Sequence, residues 1–195
     1  GFFFFKNNNN TLANNTASNN TIVGFNFTFV FNSSIQNNTA INQTYGLIFG
    51  NSGNNSVNRN TLYNLTRGIQ FQNSENNSIT NNTVSNSTEY GYYILFSSNN
   101  TLANNTARNS SLYGFLIESS KEINLSYNNA TNNSKSQYFL INSNATFTSN
   151  NYASNGSANT LDINLSNSTL STRSVSSLNN FTTEYLSITF DHATN

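Results

Sequence analysis

The 195-residue chain carries seven basic and seven acidic residues, a formal net charge of zero, so it offers no basic surface to nucleic acid or to an anionic membrane. Asn, Ser and Thr (46, 29 and 23 residues) make up half of it, and Cys, Met, Trp and Pro are absent, which excludes a disulfide scaffold. Sixteen Phe and ten Tyr at regular spacing set it apart from disordered polar chains, and no run of about 20 apolar residues is present to span a membrane as a helix.

The chain opens on Gly1-Phe2-Phe3-Phe4, which matches Gly24-Phe25-Asn26-Phe27 one period later. The segment to Lys6 is too short for a signal-peptide core, so an exported form is expected to have lost its signal already. Glycine then marks the register at Gly24, Gly46, Gly68, Gly91 and Gly114, in steps of 22, 22, 23 and 23. Apolar residues fall into columns at the same period. One column is Leu12, Ile35, Val57, Ile79, Leu102, Ile123, Phe147 and Leu170. A second is Ala17, Ala40, Leu62, Val84, Ala107, Tyr152 and Val175. A third is Phe25, Leu47, Ile69, Tyr92, Phe115, Phe139 and Leu161. A fourth, two residues on, is Phe27, Phe49, Phe71, Ile94, Ile117, Ile141 and Ile163. The last two alternate with outward positions at the period of a β-strand.

Asparagine falls into columns as well: Asn15, Asn38, Asn60, Asn82, Asn105 and Asn150; Asn19, Asn42, Asn64, Asn86 and Asn109; and Asn10, Asn55, Asn77 and Asn100 with Ser33 in the gap. Asn tolerates left-handed backbone angles, and stacked amides can hydrogen-bond as ladders. Three Asn columns between apolar columns mean three corners per turn. Asn-rich runs are poor helix formers, and a propeller blade needs about twice this period. The expected fold is therefore all-β, a right-handed parallel β-helix of about eight rungs of 22–23 residues. Regular rungs are expected over residues 1–165. Residues 166–195 read as an irregular last rung with a loop through 171–180, or as a C-terminal strand extension of the same domain.

The run Asn99-Asn100-Thr101-Leu102-Ala103-Asn104-Asn105-Thr106, followed by Tyr113-Gly114-Phe115-Leu116-Ile117, resembles the parallel β-helix repeats of NosD-like surface and exported proteins. The resemblance covers about residues 1–165 and implies the fold. A copper role associated with that name needs thiolate, thioether or imidazole donors, and His192 is the single candidate in this chain.

Chemistry is sparse in this reading. Glycoside hydrolysis needs two converging carboxylates, and the seven acidic residues scatter over corners and rungs, Glu118 and Glu122 being the nearest pair. His192 has no partner in the sequence, and no carboxylate cluster suits Ca²⁺. The expectation is no catalytic, cofactor or metal residue, hence no enzyme. The chain holds 23 Asn-x-Ser/Thr sequons, about twice the number that random order of the same residues would give. They read either as corner chemistry of the repeat or as glycan acceptors, with Asn19, Asn42, Asn64, Asn86 and Asn109 the candidates.

The expected role is an extracellular or cell-surface structural protein, a subunit of a filament, sheath or surface layer whose partners are copies of itself. Its assembly ends would be Phe2 and Phe4 against Leu186, Ile188 and Phe190. The alternative is a glycan-binding or adhesion module without catalysis, with Tyr45, Tyr90 and Tyr113, which recur just before the glycine, stacking on sugars. Neither nucleic acid nor membrane insertion is expected.

Overall fold

The computed structural model describes residues 1–148, 150–153, 159–165 and 186–190. Leu170, Val175, the loop through 171–180 and His192 lie outside them. Among the described residues every regular element is a strand and every strand pairing is parallel. The chain is a right-handed parallel β-helix. Its largest face stacks nine strands in the order Phe2–Phe5, Val23–Thr28, Thr39–Gly50, Thr61–Gln72, Thr83–Leu95, Tyr113–Glu118, Ser136–Ile141, Asn159–Leu165 and Leu186–Phe190. A second face stacks seven short strands from Thr11–Ala13 to Ala145–Thr148. The third is built from Thr16–Ser18, the first residues of the long strands, Thr106–Arg108, Asn129–Thr131 and Asn151–Ala153.

Each corner rests on a two-residue device. The first residue takes a left-handed backbone angle with its side chain in solvent, as at Asn14, Asn37, Asn81 and Asn104, with φ between 54° and 59°. That conformation costs a branched residue more than it costs Asn. The second turns inward. Asn38, Asn60, Asn82, Asn105 and Asn128 are buried in one ladder that runs from Asn15 to Asn150. In each step the backbone N–H and the amide Nδ2 of one rung donate to the Oδ1 of the next: for Asn60 to Asn82 both distances are 2.9 Å. The residue after the device starts the next strand, as Thr16, Thr39, Thr83 and Thr106 do. A left-handed Asn, an inward residue and a Thr or Ser at a strand start together spell Asn-x-Thr/Ser, so the corner chemistry itself accounts for the excess of sequons.

The inward columns form one apolar core. Phe27, Phe49 and Phe71 stack at centroid distances of 4.6 and 4.4 Å, and Tyr92, Phe115 and Tyr138 at 4.5 and 4.9 Å. Those spacings match the rise between neighbouring strands, about 4.7–4.9 Å, so one aromatic per rung stacks without strain. The buried phenols still find partners: Tyr92 Oη donates to Asn82 O at 2.9 Å and Tyr138 Oη to Asn128 O at 3.1 Å.

Three column assignments are corrected. Leu125, not Ile123, continues the first column, since Leu102 pairs with Leu125 and Leu125 with Phe147. In the strand Ser136–Ile141 the inward residues are Tyr138 and Leu140, paired with Phe115 and Ile117, so Phe139 and Ile141 face outward. Ile123 and Leu125 are both buried on the same side of their strand, so only the register tells which one continues the column, whereas Tyr138 to Ile141 are all apolar and local sequence cannot tell which of them points inward. A second ladder runs through Ser33, Asn55, Asn77 and Asn100. A third, Ser52, Ser74, Ser97, Ser120 and Ser143, lines a further corner, with each Oγ accepting the backbone N–H of the rung before. It is silent in the sequence because serine is common everywhere in this chain.

Candidate functional site

The outer surface of the nine-strand face holds the densest group of aromatic and charged side chains among the described residues. One outward column reads Tyr45, Arg67, Tyr90, Tyr113, and the next reads Ile48, Gln70, Tyr93, Leu116, Phe139. The Arg67 guanidinium carbon lies 5.6, 5.4 and 5.6 Å from the ring centres of Tyr45, Tyr90 and Tyr93. Its Nε donates to Glu89 Oε2 at 2.6 Å and its Nη1 to Gln70 Oε1 at 3.4 Å. Tyr90 stacks on Tyr113 at 5.8 Å, and Tyr113 stacks on Phe139 at 4.7 Å. The Lys135 ammonium sits 5.8 Å over the Tyr113 ring.

A local irregularity builds this group. The register between Thr61–Gln72 and Thr83–Leu95 shifts between Ser87 and Tyr90, where the later strand carries one extra residue. Such a bulge re-aims side chains, and here it brings Glu89 to Arg67. The change of glycine spacing from 22 to 23 is its trace in the sequence.

The electrostatics follow from crowding. Burial acting alone would lower the Arg67 pKa, but the hydrogen bond and charge of Glu89 outweigh it and hold the guanidinium above its ordinary value. Tyr93 is pushed well up by burial first, then by its hydrogen bond to Glu118 Oε2 at 2.6 Å and the charge of that carboxylate. Tyr90 is raised by burial and by Glu89. All three therefore stay protonated near neutrality, as aromatic planes, donors and one fixed cation beside two carboxylates. The ion pair of Arg67 and Glu89 is about one-third exposed, so water screens it and it contributes little to stability.

The sequence singled out Tyr45, Tyr90 and Tyr113, and the structure brings all three onto this face. It separates Glu118, on the face, from Glu122, which occupies a left-handed corner. Arg67, Glu89 and Tyr93 were missed, because only the bulge shows that they converge. Asn19, Asn42, Asn64, Asn86 and Asn109 form an exposed ridge, with Nδ2-to-Oδ1 distances of 3.1 to 3.3 Å between successive rungs. Phe2 and Phe4 lie in the inward columns, stacked on Phe25 and Phe27 at 4.9 and 5.2 Å. Leu186, Ile188 and Phe190 pair with Leu161, Ile163 and Leu165.

Solved structures with the same coil include the periplasmic alginate epimerase AlgG (TM-score 0.73, 18% identity, covering 83% of this chain and 46% of that one). The A-module of the Azotobacter vinelandii mannuronan C-5 epimerase AlgE4 gives a TM-score of 0.69 at 15% identity, over 85% of this chain and 58% of that one. The enzymatically active domain of bacteriophage CBA120 tailspike protein 2 gives 0.59 at 14%, over 76% and 26%. This chain thus spans about half the length of the epimerase structures, and at these identities the likeness shows the fold. A comparison with curated proteins by sequence finds no match.

These neighbours correct the expectation that the chain is not an enzyme. The same coil carries epimerases and a tailspike's active domain, so scattered carboxylates in sequence are no ground for excluding catalysis. The physical reason is visible in this molecule: the solenoid sets residues 22 to 25 apart side by side, as it does for Arg67 with Glu89 and Tyr93 with Glu118.

One family pattern matches residues 1–64 and 40–187, that of NosD, described as a periplasmic copper-binding protein. The residues present do not fit copper. The chain has no Cys or Met and one His, and among the described residues no three His, Cys, Asp or Glu side chains group together. With the two matches together spanning residues 1–187, the chain belongs to the NosD family of parallel β-helix proteins.

Proposed function

We propose that this exported β-helix works at the cell surface or outside the cell and binds a carbohydrate chain along its aromatic face. The observation that carries the reading is the column Tyr45, Arg67, Tyr90 and Tyr113, one residue per rung, flanked by Phe139 of the next column, whose ring stacks on Tyr113. Ring planes suit the apolar faces of pyranoses, while Arg67, Gln70 and the Glu118 carboxylate supply the hydrogen-bonding groups that orient hydroxyls. The column runs along the axis of the coil, the direction in which a polymer meets successive rungs. The neighbours named as alginate and mannuronan epimerases support the choice of a polysaccharide over other ligands.

Calorimetric titration with a panel of neutral and acidic polysaccharides tests this. At least one should bind, and Tyr90→Ala or Tyr113→Ala should weaken it about tenfold, or roughly 1.4 kcal/mol. Analysis of the bound polymer from the same mixtures reads any cleavage or isomerisation. Absence of binding across the panel, or full affinity in both variants with unchanged circular dichroism, refutes the reading.

Self-assembly into a filament, sheath or surface layer is the second reading. Seven basic against seven acidic residues leave little like-charge repulsion between copies. Electron microscopy and sedimentation of purified protein at rising concentration should show ordered polymers; a monomer throughout removes this reading and leaves the first intact.

A further inference from the structure

We propose that the corner ridge Asn19, Asn42, Asn64, Asn86 and Asn109 accepts N-linked glycans, and on non-adjacent rungs only. Corner chemistry explains why sequons abound; exposure and geometry decide which of them a transferase can use. Each of the five is followed two residues later by Thr21, Thr44, Thr66, Thr88 or Ser111. Each is exposed at a left-handed turn, with φ of 55° or 56°. Two such series are unbroken over five successive rungs, this ridge and Asn9, Asn32, Asn54, Asn76 and Asn99, and the ridge is preferred because four of its five sequons end in Thr against two of five in the other. Arg59 interrupts the series that runs through Asn37 and Asn81. The buried ladder through Asn60, Asn82 and Asn105 presents no amide to solvent.

The hydrogen bonding of the ridge leaves room for the modification. Each Nδ2 from Asn42 to Asn109 donates one hydrogen to the Oδ1 of the rung before, at 3.1, 3.2, 3.3 and 3.1 Å. An amide nitrogen carries two hydrogens, so the second is available. In the transfer, Nδ2 forms a bond to the anomeric carbon of a lipid diphosphate-linked oligosaccharide. The bond from that carbon to the diphosphate oxygen breaks, the diphosphate leaves with the electron pair, and a base of the transferase takes the amide proton. The remaining hydrogen keeps the ladder bond, so the coil loses none of its own contacts.

Spacing then limits occupancy. Successive strands lie about 4.7–4.9 Å apart, and a pyranose with its hydroxyls is wider than that. A glycan on one rung shields the acceptors directly above and below it. The fullest pattern is Asn19, Asn64 and Asn109 together. This inference stands apart from the carbohydrate-binding face, since the glycans here are covalent.

Mass spectrometry of the protein purified from the host that exports it, on fragments spanning neighbouring sites, is the test. Sugar should appear on members of this ridge and never on two adjacent members of one molecule. Thr66→Val removes the Asn64 sequon and keeps a β-branched strand residue; the glycan at Asn64 should vanish, and Asn42 or Asn86 should gain occupancy. Unmodified Asn at all five positions, sugar confined to other asparagines, or adjacent members occupied together overturns the proposal.

Discussion

Replacing Asn82 by Leu should destabilise the protein by about 4 kcal/mol, although Leu has the same branched skeleton as Asn and is far more apolar. The Oδ1 of Asn82 accepts from both the N–H and the Nδ2 of Asn60 at 2.9 Å, and its Nδ2 donates to Val57 O at 2.9 Å and to Asn105 Oδ1 at 3.0 Å. The residue is fully buried, so no water replaces these partners. Each buried polar group left without a partner costs about 1–3 kcal/mol, and small shifts within the ladder recover part of the total. The adjacent Asn81 is the matched control: it is exposed with φ 56°, a conformation Gly adopts freely, so Asn81→Gly should change stability by no more than about 0.5 kcal/mol. Urea unfolding of the two variants decides the matter. Equal losses would mean that the inward ladder is not what holds the corners.

Gly68→Ala should cost about 3 kcal/mol through a single added methyl group. A Cβ at Gly68 would run into Val84 Cγ1 and the backbone oxygen of Gly91, with Val84 Cγ2 at 3.0 Å. The Gly91 carbonyl belongs to the next rung, and moving it stretches the bonds that join the two rungs. Val84 is fully buried and has no free space to turn into. Gly46 meets the same obstacle one rung earlier, in Leu62 Cδ2 and the Gly68 oxygen. Gly50, by contrast, would bring its Cβ no closer than 3.9 Å to Thr28 Oγ1. Gly50→Ala should be neutral or slightly stabilising, by up to about 1 kcal/mol, because Ala has less freedom to lose on folding. Thermal unfolding of the pair measures the difference, and a Gly68→Ala protein as stable as Gly50→Ala would refute the close-packed glycine column.

Much of the fold was legible because a solenoid repeats its local demands. Leu12, Ile35, Val57, Ile79 and Leu102 occupy the same position in successive turns, and each meets only its neighbours in the stack. The period and the buried Asn column therefore follow from spacing alone, while the fourth left-handed position of each turn, at Asn51 and Asn73, does not. The reading slipped where inward and outward positions are both apolar. Tyr138, Phe139, Leu140 and Ile141 are apolar on both sides of one strand; Ile123 and Leu125 instead lie on the same side and are both buried, so there the slip is one of register. Only the hydrogen-bonded register with the preceding rung assigns Leu125, Tyr138 and Leu140 to the core columns.

The Asn-Asn pairs show the division most clearly. Composition marks them as corners, because Asn alone combines tolerance of left-handed angles with a side chain that bonds in both directions. Which Asn faces water and which faces the ladder is decided by the backbone turn at the first, which points the second at the rung beside it. The aromatic face lies further still from local sequence. Tyr45, Tyr90 and Tyr113 are visible as a column, but Arg67 with Glu89, and Tyr93 with Glu118, meet across rungs through a bulge of one residue. A chain's own alternation specifies which side of a strand a residue takes; the neighbour it meets there is set by the stacking of distant turns, and that information exists only in the folded coil.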